Sequence, residues 1–242
     1  MIHDRQFTAA DGVVLRYTLR QAGHRRVVLV VPGIFVHRAS REHVALAERL
    51  LGIADVATLD VRGHGDSAGA FTWGLREPED VAGLAAELRG QYPRVGGLGF
   101  SFGGYHVAVA AALHGSFDAV TLVATPRSLF VLDHNFLTGG LRRSLPLMLR
   151  RQRRLTRVSL SPGGRRAVPD RLVERIAPRP LLIVHGTADW LIPPKHAQTL
   201  FARARAPKRL LLIEGGLHAE YLLQQHAHPV IGPISEFFAT SL

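Results

Sequence analysis

The chain has 242 residues, 47% of them apolar and 20% charged, with 24 Gly, 14 Pro and no Cys, the profile of a globular protein rather than a disordered or fibrous one. One domain, with room for an insertion, fits this length, and the missing Cys excludes disulfides, thiol nucleophiles and thiolate metal sites. Net charge is +11, carried by 28 Arg and only 2 Lys, and 13 of those Arg fall between Pro126 and Arg179, where Asp133, Asp170 and Glu174 alone oppose them.

The opening Met1-Ile2-His3-Asp4-Arg5 has no basic stretch leading into an apolar core, and no apolar run approaches the roughly 20 residues of a membrane span, so a soluble cytoplasmic protein is the expectation. Arg5 to Ala9 and Val13 to Leu19 are strand-like runs split by Asp11-Gly12, a hairpin turn. Val27 to Val31 is apolar on both faces, as a covered central strand should be, and Pro32-Gly33 ends it. Val44, Ala47, Leu50 and Leu51 predict a helix over Arg41 to Leu51, and Val56 to Leu59 the next strand. A helix over Glu79 to Tyr92, a strand over Val95 to Phe100, a helix over Phe102 to Leu113 and strands over Ala119 to Val123, Leu181 to His185 and Arg209 to Ile213 follow. Tyr221 to Phe238 reads as helical with a middle made irregular by Pro229 and Pro233.

Strands spaced by helices of this length imply right-handed crossovers and a mainly parallel sheet with helices on both faces. Such sheets bind ligands beyond the carboxyl ends of their strands. The rhythm breaks over the roughly 55 residues between Thr125 and Pro180, which reads as an insertion over the sheet edge.

Gly99-Phe100-Ser101-Phe102-Gly103 follows a buried strand and opens a helix. In that context a Gly-x-Ser-x-Gly turn lifts a hydroxyl out over the sheet, and its glycines spare the crowded neighbours a side chain. A serine hydroxyl needs a base, and the base an orienting group. Asp189 lies in the turn after the strand Leu181 to His185, and His218 beyond the strand Arg209 to Ile213; Asp133 is the rival for the acid. His64 and His185 read as structural, and His226 and His228 carry no motif. The backbone N–H groups of Phe102, after the serine, and of Ile34, after Pro32-Gly33, are the candidate donors to an oxyanion. Asp60-Val61-Arg62-Gly63-His64-Gly65-Asp66-Ser67 reads as loop architecture shaping the cleft.

Together the elbow at Ser101, the turn from Asp60 to Ser67, the His185-Gly186-Thr187-Ala188-Asp189 turn and Gly216-Leu217-His218 resemble an α/β-hydrolase, over nearly the whole chain and in that family's order. The resemblance implies a mostly parallel eight-stranded sheet over 1–125 and 180–242, with a small basic cap inserted at 126–179. It also implies a triad of Ser101, Asp189 and His218, oxyanion donors at Ile34 and Phe102, and no cofactor or metal. One departure is Pro32-Gly33 where many relatives have His-Gly. Within that family the stretch from Pro180 to Leu223 resembles the esterase and serine-aminopeptidase-like branches.

The expected activity is hydrolysis of a small acyl ester or thioester through an acyl-enzyme on Ser101. Peptidase, C–C hydrolase and acyltransferase chemistries use the same triad. A basic lipid- or nucleic-acid-binding protein is the alternative from another class, although Arg142 to Arg166 has no aromatic residue for base stacking and no nucleic-acid partner is expected. Leucines from Leu141 to Leu155 interleave with Arg142, Arg143, Arg150, Arg151, Arg153 and Arg154, which leaves weak contact with anionic lipid or substrate open, with Pro146 interrupting the pattern.

Overall fold

A computed structural model of the protein describes residues 1–128, 156–160 and 163–242. The hairpin is present: β1 (Ile2–Thr8) pairs antiparallel with β2 (Val14–Arg20), and Gly12 takes φ 81° in the turn. With β3 (Arg26–Val31), β4 (Asp55–Asp60), β5 (Arg94–Phe100), β6 (Ala119–Val123), β7 (Leu181–Gly186) and β8 (Lys208–Ile213) they form one eight-stranded sheet in the order β1-β2-β4-β3-β5-β6-β7-β8. β2 joins β4 antiparallel, and every pair from β4 to β8 is parallel.

The helices are α1 (Arg41–Leu50), α2 (Glu77–Arg89), α3 (Phe102–His114), the short α4 (Pro169–Leu172), α5 (Lys195–Arg203), α6 (Glu220–Gln225) and α7 (Ala227–Ser241). Period-two alternation sorts the core into two layers. Val27, Leu29 and Val31 face Leu84 of α2, Val107 of α3 and Leu200 of α5, whereas Val28 and Val30 face Leu46 and Leu50 of α1 and Val230 and Ile234 of α7. The central strand β5 is thin because aromatic rings are seated directly on it. A methyl at Gly97 would lie 2.8 Å from the Phe117 ring, and one at Gly96 2.7 Å from that of Phe238.

Several boundaries differ from those read in the sequence. α2 begins at Glu77 because Pro78, whose fixed φ suits a first turn, starts it there, and it ends at Gly90 so that Tyr92 turns into the core. The buried stripe of α1 runs through His43, Leu46, Ala47 and Leu50 rather than Val44, so a histidine occupies a core position. α5 was not anticipated, although Pro193-Pro194 precedes it and His196, Ala197 and Leu200 have helical spacing. The C-terminal break falls at His226, between α6 and α7, leaving Pro229 in a first turn and Pro233 inside α7.

Asp133 and the run from Leu141 to Leu155 lie outside the described residues. The described parts of 126–179 dock on the turn after β4 and on α3. Val158 bridges Phe71, the Phe71 N–H donates to the Arg157 carbonyl at 2.7 Å, and the Tyr105 hydroxyl donates to the Ala167 carbonyl.

Strand register places the chemistry. Val31 pairs with Gly99, Phe100 with Val123, Val123 with Val184, and Gly186 with Ile213, so β3, β5, β6, β7 and β8 end along one edge. Ile34, Ser101, Asp189 and His218 all lie in or just beyond the connections leaving that edge. The Asp60 carboxylate, fully buried at the end of β4, braces it by accepting the Arg38 N–H at 2.6 Å, the Asp66 N–H at 3.0 Å and the Arg38 guanidinium. Asp60→Ala leaves the guanidinium with Asp66 at 3.0 Å and Thr18 at 3.1 Å but takes the acceptor from the Arg38 and Asp66 N–H groups, and is expected to destabilise the protein by about 2–3 kcal/mol. Urea unfolding should show this as a lower midpoint with the slope unchanged.

Candidate active site

Ser101 sits between β5 and α3 at φ 50°, ψ −120°, a conformation that side chains rarely adopt. The glycines beside it are required by contact: a methyl at Gly99 would lie 2.5 Å from the Gly103 carbonyl oxygen, and one at Gly103 2.7 Å from the Val31 carbonyl carbon. α3 is buried along most of its length, which holds the turn from behind.

The turn after β7 rests directly on the turn after β8. Ala188 N–H donates to the Gly216 carbonyl at 2.9 Å, Gly215 N–H to Thr187 Oγ1 at 2.9 Å, and a methyl at Gly186 would lie 2.7 Å from the Leu217 carbonyl oxygen. This close packing delivers Asp189 to His218. His218 Nδ1 is 2.7 Å from Asp189 Oδ2, and His218 Nε2 is 2.9 Å from Ser101 Oγ. With Nδ1–H donated to the carboxylate, Nε2 is free to accept the serine hydroxyl proton, and both separations lie in the range for proton transfer.

Asp189 is well held. Its Oδ1 accepts the Leu191 and Ile192 N–H groups, each at 2.9 Å, and His185 Nε2 lies 3.4 Å from Oδ2 while contacting the Ile192 carbonyl at 2.7 Å. Burial alone would push the Asp189 carboxyl up; the charge of His218 and the hydrogen bonds from His185 and His218 outweigh it, and the carboxyl is held well below its usual range. Burial pushes His218 down, but the Asp189 charge and hydrogen bond, with a further contribution from Glu220, raise the imidazole above its ordinary 6.5.

The segment after β3 leans on the serine, since a methyl at Gly33 would lie 3.2 Å from Ser101 Cβ. Among the described residues no acceptor pairs with the N–H of Ile34, next in the chain, or with that of Phe102, first in α3. The geometry thus brings Ser101, His218 and Asp189 together in hydrogen-bonded series, with Phe102 next to Ser101 in the chain and Ile34 following the Gly33 that lies against that serine. His64 is structural as expected, buried edge-on to Phe71 at 5.2 Å with Nδ1 3.1 Å from the Arg62 carbonyl. His185 does more than close a strand, because it touches the Asp189 carboxylate.

Sequence reasoning missed Glu220 and His43. Glu220 Oε1 lies 3.2 Å from His43 Nε2 and accepts the Gly33 N–H at 3.3 Å, beneath the segment that carries Ile34. The available signals were a carboxylate two residues after a candidate base and a histidine inside the apolar stripe of α1.

A serine, an imidazole and a carboxylate in hydrogen-bonded series, set at the carboxyl edge of a mainly parallel eight-stranded sheet, define the class of protein. The family model for the alpha/beta hydrolase fold matches residues 26–157, and the chain belongs to that family. The alpha/beta hydrolase GrgF from Penicillium sp. sh18 superposes with a TM-score of 0.82 at 18% identity, over 100% of this chain and 99% of that one. The Pyrococcus furiosus esterase Pf2001 gives 0.80 at 20% identity over 100% and 91%, and an esterase from Thermogutta terrifontis 0.73 at 19% over 99% of each chain. At these identities the likeness is one of fold. In sequence, the YfhR protein of Escherichia coli K12 is 34% identical over 70 residues, 29% of this chain and 25% of that protein. YqkD of Bacillus subtilis is 27% identical over 191 residues, 72% of this chain and 59% of that protein. The chain therefore matches about a quarter of the first relative and under two thirds of the second. Among the described residues no helix is long and apolar enough to cross a membrane.

The opposed effects of burial and of Asp189 on His218 can be separated. The His218 ring should titrate above 6.5 in the native protein, and in Asp189→Asn, where the burial remains and the charge is gone, below 6.5. Ring-proton NMR with a His218→Gln control for assignment reads both values.

Proposed function

We propose that the protein is a serine hydrolase of small carboxylic esters or thioesters. The observation that carries this reading is the unbroken series from Ser101 Oγ through His218 to Asp189, at 2.9 and 2.7 Å. As the Ser101 Oγ–carbon bond forms, the hydroxyl proton passes to His218 Nε2, and the imidazolium is stabilised by Asp189. The carbonyl oxygen takes the negative charge opposite the Ile34 and Phe102 N–H groups, where the N-terminus of α3 adds a favourable field. Collapse breaks the carbon–oxygen or carbon–sulfur bond, and His218 returns its proton to the alcohol or thiol that leaves. Water, deprotonated by the same nitrogen, then releases the acid and restores Ser101. Esterases among the proteins of like fold support the choice of substrate class.

Ser101→Ala should abolish turnover of p-nitrophenyl esters while leaving the melting temperature in place, and a fluorophosphonate should label one equivalent of wild type at Ser101. Label on another residue would sink the assignment. His218→Ala should match Ser101→Ala within about tenfold, because such groups act as a unit. Asp189→Asn should lower kcat by orders of magnitude by leaving His218 in the wrong tautomer.

The basic segment 126–179 is proposed as a cap whose charge concentrates anionic substrates or surfaces. Hydrolysis of an anionic ester should then fall as salt shortens the Debye length to about 10 Å at 0.1 M, while a neutral ester of matched acyl length responds little. Coincident salt curves for the two substrates would return the arginines to a purely structural role.

A further inference from the structure

The proposed reaction needs one carboxylate, yet two stand beside His218. Glu220 opens α6 two residues past the base and is buried. An ionised carboxylate can only accept, so its two partners are donors: the Gly33 N–H at 3.3 Å and His43 Nε2–H at 3.2 Å. His43 is fully buried on α1, edge-on to the Phe100 ring at 5.0 Å, and among the described residues its Nδ1 has no hydrogen-bond partner. Glu220 is thereby the acceptor that satisfies the one polar contact His43 makes, and His43 is what makes a buried Glu220 tolerable.

The position of Gly33 gives the pair its consequence. A methyl there would lie 3.2 Å from Ser101 Cβ and 3.3 Å from Glu220 Oε1, so this peptide is wedged between nucleophile and carboxylate. Its carbonyl accepts the Val36 N–H at 3.3 Å, and four residues beyond Ile34 the Arg38 N–H is fixed by Asp60. The direction of the Ile34 N–H depends on the dihedrals of Gly33, and Glu220 holds the donor side of that residue. A peptide rotated by a few tens of degrees would no longer aim a donor at the oxyanion, where distance and angle decide the strength of the bond.

We infer that Glu220, seated on His43, is a positioning residue that locks the Pro32–Ile34 turn with the Ile34 N–H aimed at the oxyanion formed on Ser101, joining the His218 turn to the oxyanion loop. This rests on the serine-hydrolase reading above. Its effect falls on the transition state, where the oxygen carries charge, more than on substrate binding.

A second effect follows from charge. The groups facing His218 are Asp189 at Nδ1, Ser101 at Nε2 and Glu220 from α6, with His185 of β7 behind Asp189 and His43 of α1 behind Glu220. Burial opposes ionisation of Glu220, but the His43 hydrogen bond and charge and the charge of His218 hold its carboxyl below the usual range, so it stays ionised at neutral pH and favours the imidazolium.

The test compares wild type, Glu220→Gln and Glu220→Ala, full length, on p-nitrophenyl acetate, with fluorophosphonate labelling of each. Glutamine keeps an acceptor for Gly33 and His43 but loses the charge. Its kcat should fall less than about tenfold, and the acidic limb of kcat/KM should move to lower pH because His218 loses a neighbouring anion. Alanine removes the acceptor as well. Its kcat should fall on the order of 10²-fold, the scale of losing one oxyanion donor, with KM within about threefold and labelling at Ser101 slower but still reaching one equivalent. An alanine variant whose kcat stays within threefold of wild type overturns the inference, and a glutamine variant with an unmoved acidic limb overturns its electrostatic part. Should the alanine variant fail to fold, Glu220→Asp, which keeps the charge and withdraws the acceptor from the Gly33 N–H, decides by the same kcat criterion. Active wild type labelled at Ser101 alongside indifferent Glu220 variants defeats this inference alone, whereas wild type that takes no label at Ser101 defeats the serine-hydrolase reading with it.

Discussion

Backbone packs directly against backbone where α3 meets the ends of β3 and β5, and the geometry of the candidate site depends on that approach. Ser101 occupies a region of φ and ψ that costs about 1–3 kcal/mol for a residue with a side chain. The turn persists because its surroundings leave no room for another path. Gly99 lies against Gly103, Gly103 against Val31 and Pro32, and Gly104 against Thr125. Behind them α3 is buried from Phe102 to Ala111, and the apolar area it removes from water stabilises far more than the strain costs. The same principle recurs at the second crossing, where Gly186 and Gly216 let the turns after β7 and β8 touch. Glycine is used at both crossings because the chains must meet without side chains between them.

Close approach excludes water, and the excluded water sets the electrostatics. Asp189, His218 and Glu220 are all buried, a condition that disfavours every one of their charged forms. Each carboxylate stays ionised through its own donors: Leu191, Ile192, His185 and His218 for Asp189, Gly33 and His43 for Glu220. Both anions raise His218, Asp189 more than Glu220. In the proposed reaction a base strengthened in this way would take the serine proton more readily, at the expense of being protonated over a wider acidic range. The site is therefore tuned by the donors around the carboxylates as much as by the carboxylates themselves.

What the sequence makes legible follows from how local each signal is. The strands β3, β5, β6 and β7 could be read because buried parallel strands are short apolar runs, the half-exposed edge strand β8 from its run Leu210 to Ile213, and the elbow because its glycines sit at fixed offsets from Ser101. Asp189 and His218 could be found because a strand end is a local address. Glu220 and His43 could not, since their meaning lies in a contact between residues 177 apart in the chain. Asp60 and Arg38 are a similar case: the motif around Asp60 suggested a shaped loop, but only the tertiary fold shows that the carboxylate reaches back to brace the segment after β3. α5 escaped notice for a different reason. It is a short surface helix started by two prolines, and its apolar stripe holds a histidine where the pattern calls for a hydrocarbon.

Among the described residues, the arginines between Pro126 and Arg179 differ in what they pair with. Arg127 pairs with Asp170 at 3.0 Å, and that pairing cancels charge locally. Arg157 instead donates to the Ser67 carbonyl at 2.5 Å and Arg166 to that of Trp73 at 3.0 Å, whereas Arg179 donates to that of Ile176 at 2.9 Å within the segment itself. A carbonyl orients a guanidinium without neutralising it, so these contacts of Arg157 and Arg166 fasten the segment to the core without themselves cancelling charge. Their donors, once occupied by backbone, are less available to grip an anion. If the segment is the charged cap proposed above, such a charge distribution would favour the approach of an anionic substrate more than its retention, and its influence would lie in the rate of encounter, the quantity most easily screened by salt.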